Sequence, residues 1–301
     1  MRFWKRKKGD FGGYKIIRRI ARGGMSVVYL AENLAHNEVP ETVALKVLSP
    51  ESRKKMEERY KIWLERSMSK STEEDIAARL HHPNIIRTYE YGEEAGKVYI
   101  VMEYFEGKSL RDEYVKFREG KRFDGEVFEA IFQASRGLDH LCKKGIVHRD
   151  ISPKNMLVKP QMVREGKAGA VKIIDFGLAM TTGELRAVKY TDKVGTVGYR
   201  APEQFSKRSI DQRVDVYAFG ATMYELACGR QPFKGRTRQE RRFHQQHPDS
   251  IPNVRKIEPK VPEDLDRLIM ECLTPRKEDR PTDMSVVHTN LVGMRYRLGL
   301  D

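Results

Sequence analysis

The chain has 301 residues, of which 39% are hydrophobic and 33% charged, with a formal net charge of +14. That composition belongs to a globular, soluble chain with enough apolar side chains for two packed lobes or two small domains. No run approaches the roughly 20 apolar residues of a membrane span and the start, MRFWKRKK, lacks the apolar stretch of a secretory signal, so the expected location is cytoplasmic.

Nine Lys or Arg against one Asp fall in the first 22 residues. Such a tail, carrying Phe3 and Trp4, suits weak contact with an anionic membrane surface or an acidic partner; the plainer alternative is a solvated tail. From Tyr14 onward the runs YKIIRRI, SVVYLAE, ETVALKVL, NIIRTYEYGE and KVYIVMEY are β-branched and aromatic, bounded by Gly, Pro, Asn or Glu, and predict a small antiparallel sheet. Between the third and fourth runs, residues 49–80 read as an amphipathic helical region, with Met56, Tyr60, Trp63 and Leu64 at three- and four-residue spacings. Its apolar stripe either packs on the sheet or meets a partner.

Near residue 105 the texture turns helical. DGEVFEAIFQASRGLDHLCKKG repeats apolar residues at helical spacing and stops at Lys143, Lys144 and Gly145. VDVYAFGATMYELACG is a largely buried helix ending at Gly229, and PEDLDRLIMECL is a third, entered at Pro262. The basic run KGRTRQERR at 234–242 either docks acidic substrates or is one polar helix face. Neither basic segment interleaves aromatic residues as a nucleic-acid surface does, so no nucleic acid is expected as a partner. Cys142, Cys228 and Cys272 are odd in number and widely spaced, which suits reduced, buried thiols better than disulfides or a metal site.

The strongest chemical signal is IVHRDISPKNMLV followed by VKIIDFGLA. Asp150, Asn155 and Asp175 each adjoin a short apolar strand, so they emerge together at strand ends, where carboxylate and amide oxygens can hold a magnesium-bound triphosphate. Singly, His148 or Asp150 would be a structural polar residue; joined with GTVGYRAPE at 195–203 they point to chemistry. The chain also carries, in order, a glycine-rich loop at 21–28, VALK ending at Lys46, EEDIAARLHHPNI, VMEYFEG, DVYAFG and RKEDRPT. From residue 14 to about 295 this ordered set resembles the eukaryotic-type (Hanks-type) serine/threonine protein kinases and is most similar to their bacterial members.

The resemblance implies an α+β, bilobal protein kinase fold. After a basic tail at 1–13 come an N-lobe at about 14–102, with a five-stranded antiparallel sheet and one regulatory helix, and a hinge at 103–107. A mainly helical C-lobe at 108–295 and a short tail at 296–301 follow. It implies ATP with Mg2+, or Mn2+ in its place, and protein substrates bearing Ser or Thr. Lys46 contacts the α- and β-phosphates and pairs with Glu73, or with Glu74 beside it. Asp150 orients and deprotonates the attacking hydroxyl, and Asn155 and Asp175 hold the metal. Adenine is expected between the lobes against Val28, Ala44, the gatekeeper Met102 and Leu157, with its edge on the backbone of Glu103 and Phe105. Glu203 and Arg280 form a buried ion pair, and Asp215 anchors the catalytic loop. Arg149 binds a phosphorylated residue of the activation segment, where Thr181, Thr182, Tyr190 and Thr191 are available and Thr191 leads. Thr196 is expected to bond near Asp150.

Two departures stand out. The nucleotide loop, Ala21, Arg22, Gly23, Gly24, Met25 and Ser26, has Ala21 and Ser26 where the resemblance expects glycines; if either needs a positive φ, the cost is about 1–2 kcal/mol. The lysine usual two residues after the catalytic Asp is replaced by Ser152, and Lys154 is expected to reach the γ-phosphate instead. Insertions lie between Lys46 and Glu73 and at KPQMVREGKAGA, the second a lengthened hairpin turn. An active kinase is the leading expectation. The alternatives are a pseudokinase acting as a nucleotide-binding scaffold and a small-molecule phosphotransferase of related fold. Against them stand the presence of Lys46, Asp150, Asn155 and Asp175, and of GTVGYRAPE with Arg280, respectively.

Overall fold

The computed structural model describes residues 10–23, 26–34, 38–48, 80–116, 123–187, 195–205, 209–233 and 251–300. The expected regulatory helix, with Glu73 and Glu74, and the basic run at 234–242 lie outside the described residues. The chain divides into two compact units, Met1–His81 with Ile86–Glu106, and His82–Ile85 with Gly107–Asp301.

The described residues of the first unit form one antiparallel sheet of β1 (Asp10–Phe11), β2 (Tyr14–Arg22), β3 (Ser26–Asn33), β4 (Thr42–Leu48), β5 (Thr88–Glu94) and β6 (Lys97–Glu103), in the order β1-β2-β3-β4-β6-β5. Five strands are those expected, and the two-residue β1 adds an edge before Tyr14. Strand alternation separates two faces. Tyr14, Ala31, Val43, Leu45 and Val101 are fully buried together and form the core face. The residues between them, Val28, Ala44, Lys46, Ile100 and Met102, share the opposite face, because Val28 pairs with Lys46 and Lys46 with Ile100, while Ala44 pairs with Met102. The β5–β6 hairpin closes on Ala95 and Gly96, both at positive φ (50° and 72°), as a two-residue turn matched to strand twist requires.

The fourth expected strand begins later than its sequence run. β5 starts at Thr88, because Asn84 and Ile85 are committed to the second unit. Asn84 is fully buried; its Nδ2 donates to Gln133 Oε1 at 3.0 Å and Val171 O at 2.9 Å, and its carbonyl accepts the Ile173 N–H at 2.9 Å. A buried carboxamide finds more partners there than at the end of a strand.

In the second unit, β7 (Lys108–Ser109), a helical turn at Arg111–Lys116 and α1 (Gly125–Lys143) come first. Asp124 caps α1 by accepting the Val127 N–H at 3.1 Å, and Gly145 at φ +68° follows its end, so the expected boundaries hold. Next come β8 (Ile146–Val147), β9 (Met156–Val158), α2 (Pro160–Arg164), β10 (Val171–Ile173), β11 (Met180–Thr181) and α3 (Thr182–Ala187). The insertion after β9 does form a hairpin turn to antiparallel β10, with α2 inside it, and Gln133 Nε2 ties it to α1 through Lys167 O at 2.9 Å. The further α-helices among the described residues are α4 (Arg213–Cys228), α5 (Glu263–Cys272) and α6 (Met284–Arg297). α4 is buried from Val214 to Cys228, and its Gly220 allows α5 to approach, since a Cβ there would lie 2.6 Å from Cys272 Cβ. α6 is a long helix that the sequence pattern did not mark. The three cysteines are free thiols, with Cys228 and Cys272 buried.

Glu203 and Arg280 are the buried pair expected. The guanidinium donates to both Glu203 oxygens at 2.8 and 2.9 Å, to Thr274 O at 2.7 Å and to Pro275 O at 2.8 Å, and stacks over Tyr217. Arg280→Met would take from a buried carboxylate its guanidinium partner and lower stability by about 3–5 kcal/mol, read as a shift of the urea midpoint, and adding Glu203→Leu recovers part of it.

A second prediction concerns acid. His82 stacks on His140 of α1 at 4.9 Å, and His288 of α6 shares a hydrogen bond with Ser135 at 2.8 Å. Burial, then the charges of His140 and Arg136, pull His82 down from 6.5 to about 4, with Asp139 opposing. His288 is also lowered, by burial against the opposing charge of Asp139. The unfolded chain therefore binds these protons first, so stability is full above pH 6.5 and falls as pH drops towards 4. Chemical denaturation at stepped pH checks this, and a His82→Gln variant flattens the slope.

Candidate active site

The second unit brings Asp150, Asn155 and Thr196 onto one another. After β8 the chain turns with Arg149 at φ +66°, a left-handed conformation that costs energy for a residue with a side chain. Asp215, in the first turn of α4, holds that turn: its oxygens accept the His148 N–H at 2.6 Å and the Arg149 N–H at 2.9 Å. Burial pushes the Asp215 carboxyl up, opposed by the charge of His148 and by the two amide bonds. His148 is fully buried, tilted against Phe176, with Nε2 at 3.2 Å from Ile174 O and Nδ1 accepting the Asp150 N–H at 3.3 Å.

Asp150 is thereby presented to three hydrogen bonds. Asn155 Nδ2 donates to Oδ2 at 2.9 Å, and the Thr196 N–H and hydroxyl both donate to Oδ1 at 2.7 Å. Asn155 Nδ2 also donates to Asp150 O at 2.8 Å, which closes the 150–155 loop on itself. The approach of Thr196 depends on Gly195, at φ +94°, where an added Cβ would lie 2.7 Å from Arg149 O. Arg200, almost fully buried, donates through Nε to Gly195 O at 2.6 Å and through Nη2 to the same oxygen. Asp175 is exposed, at φ +67°, and its carboxylate accepts the Gly177 N–H at 3.4 Å. Its neighbour Ile174 donates to Asn155 O at 3.0 Å, tying the two acceptor-bearing segments together.

Ser152 is fully buried, and its hydroxyl has no hydrogen-bond partner among the described residues. Lys154 is exposed on the Pro153–Asn155 turn. Leu157 lies on β9 between β7 and β10. The Arg149 guanidinium reaches Met180 Sδ. Thr181 is engaged within its own segment. Its hydroxyl accepts the Glu184 N–H at 3.2 Å and donates to Glu184 Oε2 at 2.9 Å, while its own N–H donates to the same oxygen at 2.7 Å. That reciprocal cap starts α3 and makes Thr181 a poor acceptor for a phosphate, which would stand against the Glu184 carboxylate. Thr182 donates its N–H to Gly145 O at 2.8 Å, and Tyr190 and Thr191 lie outside the described residues.

In the first unit, Val28, Ala44, Lys46 and Met102 share the face opposite the core, and Lys46 is 7% exposed. The Glu103 N–H donates to Arg87 O at 2.8 Å, so a ligand contact by the Glu103 backbone would be made through its carbonyl. Phe105 is buried. Ala21 and Arg22 are strand residues paired with Val28 and Val27, and Gly23 N–H donates to Ser26 O at 2.9 Å. Neither Ala21 nor Ser26 has a positive φ, so the cost attached to the missing glycines does not arise at these positions. Gly24 and Met25 lie outside the described residues.

Four residues of the site escaped the sequence reading: Arg111, Tyr199, Arg200 and Glu225. Tyr199 and Arg200 stood inside GTVGYRAPE, and a tyrosine and an arginine in a motif of otherwise small residues were the available signal. Glu225, almost fully buried on α4, accepts the Tyr199 hydroxyl, and Arg111 Nε stands 3.8 Å from its other oxygen.

Residues 14–292 match the family described as "Protein kinase domain". Serine/threonine-protein kinase PknB of Mycobacterium tuberculosis is 32% identical over 285 residues, covering 93% of this chain and 42% of that protein. PrkC of Bacillus subtilis is 31% identical over 263 residues, covering 87% and 37%. PknJ of Mycobacterium tuberculosis is 31% identical over 223 residues, covering 74% and 35%. The chain thus spans about two fifths of the length of the curated relatives it matches.

Asp215→Asn turns one acceptor oxygen into an N–H donor facing an amide. The expected loss is about 2–3 kcal/mol, measured by urea unfolding, with new exchange of the His148 and Arg149 amides.

Proposed function

The chain belongs to the protein kinase family, and from that premise we propose that it transfers the γ-phosphoryl group of ATP, bound with magnesium, to Ser and Thr hydroxyls of protein substrates. The observation that supports this most is the Asp150 carboxylate. Three hydrogen bonds fix its plane, and a carboxylate with roughly four lone-pair sites keeps the capacity to accept one more proton donor. A substrate hydroxyl bonded there is oriented for attack and gives up its proton to Asp150 as its oxygen bonds to the γ-phosphorus and the bond from that phosphorus to the β–γ bridging oxygen breaks, releasing ADP.

The face of Val28, Ala44, Lys46 and Met102 is proposed to take the nucleotide: the apolar side chains meet adenine, and Lys46 meets the α- and β-phosphates. Lys46 sits in a strand bonded on both sides, so its ammonium is carried by a rigid element. Asn155 and Asp175 would hold the magnesium. The Asn155 amide nitrogen is engaged by Asp150, which leaves the carboxamide oxygen as its ligand atom, and Asp175 offers an exposed carboxylate. Two such oxygens fit an ion that takes one or two protein ligands and completes its shell with phosphate and water. When bound, that ion supplies neutralisation of charge on the phosphoryl oxygens.

Lys154 is proposed to replace the cation absent at Ser152. Autophosphorylation is proposed between Asp175 and Glu203, at Thr191 or Thr182, with Arg149 as the group that binds the phosphate.

With labelled ATP, magnesium and a basic protein substrate, phosphate transfer is expected, and Asp150→Asn should reduce it by roughly 10²–10⁴-fold without unfolding the chain. Nucleotide-induced thermal stabilisation without transfer would overturn the proposal. Lys154→Ala is expected to lower kcat roughly ten- to a hundredfold; unchanged turnover removes its assigned role. Mass spectrometry after incubation with ATP should find phosphate between Asp175 and Glu203, and its absence there counts against autophosphorylation.

A further inference from the structure

Arg200 is an unusual charge to find inside the segment that faces Asp150. It is 6% exposed and stands between Tyr199 and Ala201, both buried. A guanidinium keeps its charge when buried and needs acceptors, yet the group that two of its donors meet is a neutral carbonyl. Nε donates to Gly195 O at 2.6 Å, and Nη2 donates to the same oxygen. Gly195 O belongs to the peptide group whose other end is the Thr196 N–H, and that N–H donates to Asp150 Oδ1 at 2.7 Å. One peptide group is therefore held at both ends, by a cation at its carbonyl and by the Asp150 carboxylate at its amide.

The surroundings keep that arrangement in place. Before Arg200, the Tyr199 hydroxyl is bonded to Glu225 of α4; after it, the Ala201 N–H donates to Gln204 Oε1 at 2.8 Å. Gly195 sits at φ +94°, and a Cβ there would lie 2.7 Å from Arg149 O and 3.7 Å from Asp150 Oδ1, so its backbone passes close against the catalytic loop. Bonded groups in a chain polarise one another: a cation on the carbonyl draws electron density from the amide and makes the Thr196 N–H a stronger donor. The Thr196 hydroxyl reaches the same Asp150 oxygen at 2.7 Å. Both lone pairs of Oδ1 are then filled, whereas Oδ2 accepts only the Asn155 amide among the described residues and keeps one open.

We propose that Arg200 is a positioning residue for phosphoryl transfer: by fixing the peptide group between Gly195 and Thr196 it keeps Asp150 Oδ1 filled, so that the attacking hydroxyl is received at Oδ2 alone. This rests on the role proposed above for Asp150. It accounts for a buried guanidinium that spends two donors on one neutral carbonyl. Without Arg200 that peptide group can turn and Oδ1 opens. A substrate hydroxyl then finds two competing acceptors, and only one of them aims its oxygen at phosphorus.

The test joins NMR of the Thr196 amide to steady-state kinetics on the folded chain, with melting temperatures recorded for every variant. In Arg200→Leu the Thr196 amide proton should move upfield and exchange with solvent roughly tenfold faster or more, as its bond to Asp150 weakens. The same variant should lose roughly ten- to a hundredfold in kcat and keep its KM for ATP within about twofold. Arg200→Lys, which retains the charge and a donor, should recover most of both effects, and Arg200→Gln, which retains a donor alone, should recover less. In an Asp150→Asn background Arg200→Leu should cost no further kcat, because the carboxylate it orders is gone; a merely structural role would multiply the two losses and overturn the inference. An unmoved Thr196 amide in Arg200→Leu, or a changed amide with unchanged kcat, also overturns it. Should Arg200→Leu not fold, the Lys and Gln variants decide: higher kcat for Lys supports the inference and equal kcat overturns it. If the unmodified chain transfers no phosphate, the reading of Asp150 has failed and takes this role with it. That case is told apart because the parent itself is silent while the Thr196 amide still responds to Arg200→Leu.

Discussion

Asp215 carries a carboxylate into a fully buried position because two backbone N–H groups, of His148 and Arg149, need an acceptor where the chain turns through a left-handed residue. Amides left unpaired in such a place would each cost about 1–3 kcal/mol, and the strained φ adds more. α4, buried along almost its whole length, supplies the rigid post on which that acceptor stands. The position of Asp150 follows from it: one residue beyond Arg149, its N–H bonds to His148 and its side chain is aimed at Thr196 and Asn155. The candidate site is thus a consequence of how one helix start satisfies one turn.

The same logic runs through the rest of the unit. The charged groups drawn inward are paired with groups that have no better place to go. Arg280 gives hydrogen bonds to Glu203 and to three backbone carbonyls, of Arg213, Thr274 and Pro275, and Arg200 gives two to Gly195 O. Such bonds add little net stability, since desolvation offsets much of their energy, but they permit few alternative arrangements. Gly195, Thr196, Tyr199 and Arg200 are held at several points, so the segment facing Asp150 is rigid, whereas the strand face of the first unit that carries Lys46 is rigid for another reason. There the pairing of β4 with β3 and β6 fixes the Lys46 backbone on both sides.

Much of this was legible in the sequence because catalytic chemistry constrains residue type and spacing together. Asp150, Asn155 and Asp175 were marked by motif, and so were Thr196, Asp215 and the Glu203–Arg280 pair. Strands and long helices followed from periodicity and capping, as at Asp124 and Gly145. Part of what escaped depended on partners far away in the chain. The start of β5 was misplaced because Asn84 is claimed by Gln133 and Val171, contacts no local pattern encodes. Thr181 looked like a free hydroxyl, yet the Thr-x-x-Glu spacing of a cap was present in the sequence and was outweighed by its position after DFG. The worry about Ala21 and Ser26 assumed that a missing glycine implies strain; the backbone runs as strand there and asks for none.

The replacement at Ser152 tests how far position matters when charge is preserved. A cation serves phosphoryl transfer by the field it places on the transferring group, and a flexible ammonium can supply that field from either of two positions on one short turn. What changes with position is the set of competitors. At Ser152 the side chain is fully buried, so a lysine there would be confined, whereas Lys154 is exposed and can bond elsewhere. The role proposed for Lys154 would thus place the charge on an exposed side chain instead of a confined one.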